Sequence, residues 1–441
     1  MISNTHKQLA QWAMDCARKN GCQGVRVNLY NGSSASFEIR DMKIDRLQQA
    51  SESALSLHLF VDGRFGAYST NRLDKRELET FIRNAVDSTR YLAEDRARTL
   101  PDASLYYRGG GSDLQLCDPA FDAIPPDDKL ALAMHACEEI MGRDRRIVAA
   151  ESSYGDGESC LYMIASNGFE GESSSSVFTL AASVSIRGDG DARPSSEWYD
   201  SALHYDKLVR DGIGARALER ALRKLGQRKI ASARLPMIAD YTVSRHLLSP
   251  VISALYGSAL QQKNSFLPDS LDRKALGDGM TLTDEPHLPQ AAGARYFDGE
   301  GVATKKRPVF EAGTLRTCYI DTCYANKMGM AQTVDAPSIL TMPPGKKDRE
   351  GLIATLDRGI LVTGFNGGNC NSTTGDFSYG IEGFLIENGQ LTQPVNEMNI
   401  TGNMLTLWNR LLETGNDPRI SSSWRIPSLL FDGVDFSGAS S

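Results

Sequence analysis

The chain has 441 residues, 41% hydrophobic, 23% charged and 8% aromatic, with a formal net charge of 48 − 55 = −7. That length exceeds one ordinary core and predicts two or three domains. The acidic balance lacks the basic footprint that direct nucleic-acid binding needs, and no apolar run approaches the ~18 residues of a membrane span.

An amphipathic helix is predicted over Thr5–Asn20, with Leu9, Trp12, Ala13, Cys16 and Ala17 as its apolar stripe and Gly21 as its stop. Strand patterns follow at Val25–Tyr30, Ala35–Ile39, Ala54–Phe60 and Phe65–Tyr68, with Asp62-Gly63 as a tight hairpin turn. Asp74 with Glu77 resembles a capping box opening a second helix, whose inner face is Leu78, Phe81, Ile82, Ala85, Val86 and Leu92. A third helix is predicted from Pro125-Pro126 to about Gly142. Strands resume at Ile147, and Leu161–Ala165 runs into a second hairpin signal, Asn167-Gly168. The alternation Phe178, Leu180, Ala182, Val184, Ile186 predicts a sheet with one buried face. Gly188–Ser196 reads as a turn-rich loop and Asp206–Leu225 as a long helix. The basic cluster Arg216 to Lys229 reads as a solvated helix face near a domain junction.

The boundary is placed in Gly226–Arg234, giving an N-terminal α+β domain (1–230) and a C-terminal domain (231–441). The second half predicts one helix at Ser244–Lys263 and a short one near Asp348–Arg358. Close-set turns at Asp298-Gly299, Ala312-Gly313, Asn366-Gly367-Gly368, Gly375-Asp376 and Asn388-Gly389 separate short apolar runs. Such punctuation favours a β-rich, barrel-like domain. The strands around the last two turns should present Phe377, Phe384 and Ile386 inward.

Familiar catalytic motifs are missing. There is no G-x-S-x-G, no S-x-x-K and no phosphate-binding G-x-x-x-x-G-K-[ST]. None of the eight Cys forms a C-x-x-C pair, and no secretory pattern opens the chain, so a reduced, cytoplasmic setting is expected. Of the six His, only His135 stands with acids at helical spacing, Glu138 and Glu139. A metal there would need a third ligand from elsewhere, and Glu on an amphipathic helix ordinarily faces solvent.

A series of short segments in the second half carries a resemblance. Phe297-Asp298-Gly299-Glu300-Gly301-Val302 is followed by Arg307-Pro308 and Glu311-Ala312-Gly313-Thr314-Leu315. Thr374-Gly375-Asp376-Phe377-Ser378, then Gly383-Phe384-Leu385-Ile386-Glu387-Asn388-Gly389, Pro394-Val395, Glu397, Thr401-Gly402-Asn403 and Gly415-Asn416-Asp417 come in order. Together they resemble the TldD/PmbA (TldE) peptidase family. The resemblance implies an N-terminal mixed sheet with helices and a β-rich second domain. It also implies a cytosolic assembly of two related subunits around a proteolytic cavity. By the same resemblance Asp298, Gly301, Gly375, Asp376, Ser378, Gly383, Asn388, Gly389 and Asn403 are family-signature positions that could line a peptide or partner surface.

TldD-type members carry H-E-x-x-x-H and a C-terminal Cys that completes a zinc site. A spacing of i, i+5 is about 140° around a helix, so the helix must break near the second His. Here the corresponding stretch, Ser244–Lys263, holds one His and no Glu, and the C-terminal segment reads Ser421-Ser422-Ser423-Trp424. The expectation is a PmbA/TldE-like subunit binding no zinc itself. It would act on unfolded or extended peptides with a zinc-bearing TldD-like paralogue, or form a homodimer. The alternatives are a stand-alone regulatory protein, as the family label "modulator of DNA gyrase" suggests, and an independent peptidase with an unrecognised site, for which His135 is the candidate.

Overall fold

The Ser3 side chain accepts from the His6 amide and opens α1 (Asn4–Lys19), whose last turn carries Arg18 and Lys19. Cations there suit the negative end of the helix. The structure, a computed structural model, describes residues 2–439. Three antiparallel strands follow: β1 (Gly24–Arg40), β2 (Lys43–Val61) and β3 (Arg64–Thr70). The two short strands expected within 25–39 are one, because the small residues between them stay paired on both sides, Gly32 with Glu52 and with Ser159. Asp62 and Gly63 both have positive φ (49° and 73°), the primed turn that matches strand twist.

Asp74 caps α2 (Lys75–Thr89) by accepting from the Arg76 and Glu77 amides. Glu77 turns instead to Arg72, 3.7 Å away. Next come α3 (Pro126–Glu138), β4 (Ile147–Ala165), β5 (Phe169–Ile186), β6 (Ser195–Ala202) and α4 (Ile213–Arg223). β6 occupies the end of the expected loop and continues beyond it. The helix expected from Asp206 begins only at Ile213, since Gly212 at φ +81° breaks any earlier helical run.

The first sheet is ordered β3-β2-β1-β4-β5-β6 and is antiparallel throughout. Val25, Val27 and Leu29 of β1 pack in one core with α1 and α2, while Ala35, Phe37 and Ile39 pack in another with α3 and α4. These residues share parity along one strand, so all four helices cover the same face.

The chain then forms β7 (Ala233–Ala239), α5 (Arg245–Ser253) and α6 (Gly257–Gln261). The single helix expected over Ser244–Lys263 is thus two. Tyr256 is extended, and the Gly257 amide leaves the helix to bond the Tyr319 carbonyl at 2.9 Å. A small sheet and its surroundings follow: β8 (Leu282–Asp284), β9 (Arg307–Glu311), β10 (Thr314–Leu315), α7 (Thr322–Met328), β11 (Leu340–Thr341) and α8 (Arg349–Ile353). The rest is β12 (Arg358–Cys370), β13 (Asp376–Glu387), β14 (Gln390–Asn403), α9 (Met404–Asn409), β15 (Leu411–Thr414), β16 (Trp424–Arg425) and β17 (Leu429–Ser437).

β7 pairs with β12, β12 with β13, β13 with β14, β14 with β17 and β17 with β7, so the ring closes into a five-stranded barrel. Closure removes the sheet edges that would otherwise invite pairing. Met237, Val362, Phe377, Ile400 and Phe431 join α5 and the small sheet in the largest core. Phe384 and Ile386 do not share that face. Bulges at Ile381/Gly383 and Phe384/Ile386 shift the register, and both side chains pack against α8 with Ile238 and Leu361. The two halves meet through an aromatic patch in which Phe169 lies 5.2 Å from Phe297 and Tyr107 stacks on Tyr296 at 5.2 Å. No helix among the described residues is long and apolar enough to cross a membrane.

Candidate functional site

At the N-terminal turn of α5, where the resemblance would place a zinc motif, the one imidazole is His246. It stacks on Phe365 (centroids 4.4 Å apart, planes 15°) and meets the Tyr379 ring at 4.7 Å. Burial among these rings lowers its pKa, which favours the neutral form. Leu247, Leu248, Val251 and Ile252 turn into the core. One imidazole with ring neighbours does not supply a zinc ligand set, so the residues here do not fit that metal.

Beside it lies the barrel rim, where several signature residues converge. Asn403 caps α9 through its carbonyl, which accepts from the Leu405 amide, while its Nδ2 donates to the Thr374 carbonyl (2.8 Å) and to Asp376 (2.9 Å). Asp376 also accepts from the Thr374 hydroxyl at 2.8 Å, and these bonds hold its carboxyl below the usual range. Gly375, at φ +80°, completes the turn, and Ser378 is exposed two residues along β13. Opposite, the end of β12 is exposed at 366–369, with Gly368 (φ +98°) so near β13 that a Cβ would fall 2.0 Å from the Ser378 carbonyl.

The other signature positions lie elsewhere. Gly383 sits mid-strand, where a Cβ would come 1.9 Å from the Leu361 carbonyl. Asn388 and Gly389 (φ 52° and 73°) form the hairpin turn at the far end of β13. Asp298 and Gly301 belong to the domain junction. Asp298 is 2% exposed and accepts from the Glu300, Val302 and Asp335 amides. Gly301, at φ +88°, leaves room for the Phe169 ring.

Around that loop is a charged cluster that the sequence reading did not single out. Glu300 accepts from the Thr322 amide and hydroxyl, both at 3.0 Å, and burial pushes its pKa up to about 7. Burial, then the Asp335 charge, likewise raises Asp298. Arg26, 8% exposed on β1, provides the counter-charge, and its Nε donates to His58 Nδ1 at 3.0 Å. Burial, with that guanidinium, lowers His58 to about 4, so it is a neutral acceptor at ordinary pH. Only burial and tertiary pairing assemble this set. The sequence signals were the Phe297–Val302 segment and the signature position Asp298 within it, and neither points to Arg26 or His58.

His135 has a structural explanation. Its Nε2 lies 3.0 Å from Asp211 and 3.5 Å from Glu139. The Glu139 carboxylate accepts from the amides of Gly212 (2.6 Å) and Gly214 (2.7 Å), capping α4 from outside. This is the one trio among the described residues with metal-compatible spacing, and a helix cap already engages its central carboxylate.

Comparison with known proteins agrees across the chain. Residues 25–89, 119–225 and 232–438 match the family models for the first, central and C-terminal domains of the PmbA/TldA metallopeptidases. Metalloprotease PmbA of Escherichia coli O157:H7 is 26% identical over 418 residues, covering 94% of this chain and 92% of that protein. The PmbA homolog of Haemophilus influenzae is 27% identical, covering 98% and 96%. A crystal structure from Bacteroides thetaiotaomicron, of a protein described as a "putative modulator of DNA gyrase", is 61% identical over the whole of both chains, with a TM-score of 0.98. TldE from Thermococcus kodakarensis shares the fold at 18% identity, with a TM-score of 0.85 over 98% of this chain and all of that one.

Proposed function

The chain belongs to the PmbA/TldD metallopeptidase family, and from that premise we propose that it is the TldE-type subunit of a TldD/TldE-type peptidase. It binds unfolded or extended peptide and leaves the zinc chemistry to a TldD-like paralogue. The observation that carries this reading is α5, which offers His246 packed against two aromatic rings in place of two imidazoles and a glutamate. The uncovered face of the first sheet supports the peptide half. Across it run Ser36, Gly155, Thr179 and Ser201 in register, then Gly32, Ser159 and Ser175. Small side chains let another backbone approach closely with little demand on its sequence.

The test is cleavage of an unfolded peptide by this chain, by an H-E-x-x-x-H-bearing paralogue and by their mixture. Activity confined to the mixture, or strongly raised in it, is expected. Cleavage by this chain alone overturns the reading.

A further inference from the structure

The basic cluster Arg216 to Lys229 faces solvent at Arg223, Arg228 and Lys229, but Arg216, Arg220 and Lys224 are half-buried. Arg220 and Lys224, four residues apart at the end of α4, line a cleft of about 630 Å³ between α4, β6 and the barrel, and Arg216, one turn earlier, packs behind its Trp198 wall. Arg216 lies 3.7 Å over the Trp198 ring and donates to the Tyr241 hydroxyl, and Arg419, from the opposite wall, stacks 4.8 Å over the same ring and 3.9 Å over Tyr199.

The charges are unevenly satisfied. Glu382 is taken by Lys224 (2.7 Å), Glu151 by Arg40 (2.7 Å) and Asp240 by Arg349 (2.8 Å). Arg220 makes no ion pair of its own among the described residues: Asp240, the carboxylate whose charge acts on it, is bonded to Arg349, and the Arg220 Nε is buried without a hydrogen bond. Burial disfavours the charge on this guanidinium, and an anion meeting its Nη nitrogens from the cleft would offset that cost. Glu197 is exposed at the mouth. β6 is the last strand of its sheet, and its residues 195–199 line the cleft. Arg419 already donates to the Tyr199 carbonyl of β6, so the cavity joins the edge on the other side of that contact, at 195–198, which can pair with an extended backbone, to a cation that has no ion pair.

We propose that this cleft binds the C-terminal carboxylate of an extended peptide, with Arg220 taking the carboxylate, Arg419 closing over it and the β6 edge holding the preceding backbone. The inference rests on the peptide-binding reading above and adds an end-specificity to it. A free inorganic anion shares the carboxylate chemistry, and the test separates the two.

Binding of a fluorescein-labelled unfolded peptide to the full chain is measured by anisotropy, once with a free C-terminus and once as the C-terminal amide. The acid should bind roughly tenfold or more tightly than the amide. Arg220→Gln should bring the acid to the level of the amide and leave the amide unchanged, and Arg419→Gln should act in the same direction. Equal binding of acid and amide by the unmodified chain overturns the end-specificity while leaving peptide binding in place. That comparison needs no variant to fold. Binding of neither form overturns both readings. Displacement of the acid peptide by inorganic phosphate at concentrations below the peptide's own Kd makes a free anion the occupant and overturns the proposal.

Discussion

The two faces of the N-terminal sheet come from the same strands and are built from different amino acids. One carries Val27, Leu57, Tyr154 and Phe178, all fully buried beneath four helices. The other carries Ser36, Gly155, Thr179 and Ser201 across four neighbouring strands. The first face concentrates the apolar area that drives folding. The second gives up that area, and a sheet gains nothing in stability from glycines mid-strand. Stability and function are therefore expected to separate by face, and substitutions on each face can break or sharpen that division.

The largest effect should come from the covered face. Phe178 is 0% exposed, with the Phe121 ring 5.7 Å and the Tyr205 ring 5.5 Å away. Phe178→Ala should cost about 3–5 kcal/mol, read as a fall in the urea midpoint. A loss below about 1 kcal/mol would mean that the helices on this face contribute little.

The next effect lies where the uncovered face runs under the C-terminal half, at Arg26, His58 and Glu300. Glu300 titrates at about 7 in the folded protein against 4.5 for an exposed glutamate. Its folded pKa is the higher one, so its contribution is fully present below about 4.5 and is lost as pH rises through about 7. Glu300 alone should lower the stability by roughly 3 kcal/mol as pH rises between these limits, while His58, lowered to about 4, acts in the opposite sense over the same range and Asp298 in the same sense. Those two groups remain in Glu300→Gln, so the Glu300 contribution is the difference in thermal midpoint between parent and variant, which should shift in favour of the parent as pH falls from about 7 to about 4.5. A parent–variant difference that does not change with pH would show that Glu300 does not titrate in this range.

Much of the covered face could be read from the sequence, because it rests on local rules. The run Phe178 to Ile186 gave its own burial pattern, and Asp62-Gly63 and Asn388-Gly389 took the positive φ that their turns require. Reading failed where a distant partner decides. Gly32 to Ser34 stayed in β1 because β2 and β4 flank it. The helix expected from 244 to 263 broke where the Tyr319 carbonyl captured the Gly257 amide. Arg216 to Lys224 read as a solvated face because nothing near them in sequence reveals Trp198 and the barrel wall. Of the signature residues, the structure gathers Gly375, Asp376, Ser378 and Asn403 on one rim and scatters the rest. Sequence order alone carries no such grouping.

A smaller effect tests the helices that cover the first face without touching the core. Asp74 accepts two amides at the start of α2. Asp74→Ala should lower the stability by about 1 kcal/mol, seen as a modest drop in Tm, and leave peptide binding unchanged. A change in binding would show that α2 supports the uncovered face as well as its own.

The smallest effect on stability should be the most informative about function. Gly155 lies mid-strand on the uncovered face, and a Cβ there would find only the Ala35 carbonyl, 3.8 Å away. Its φ is not positive, so a β-branched residue meets no backbone penalty. Gly155→Val should therefore leave the urea midpoint within about 1 kcal/mol of the parent or raise it, since valine suits a strand better than glycine. The same two methyl groups would stand where an extended peptide is proposed to lie. Anisotropy should then show weaker peptide binding at unchanged or higher stability, an outcome that a purely structural role for the glycine does not produce. Parent-like binding would mean that the peptide runs along the β6 edge without crossing the middle of the sheet.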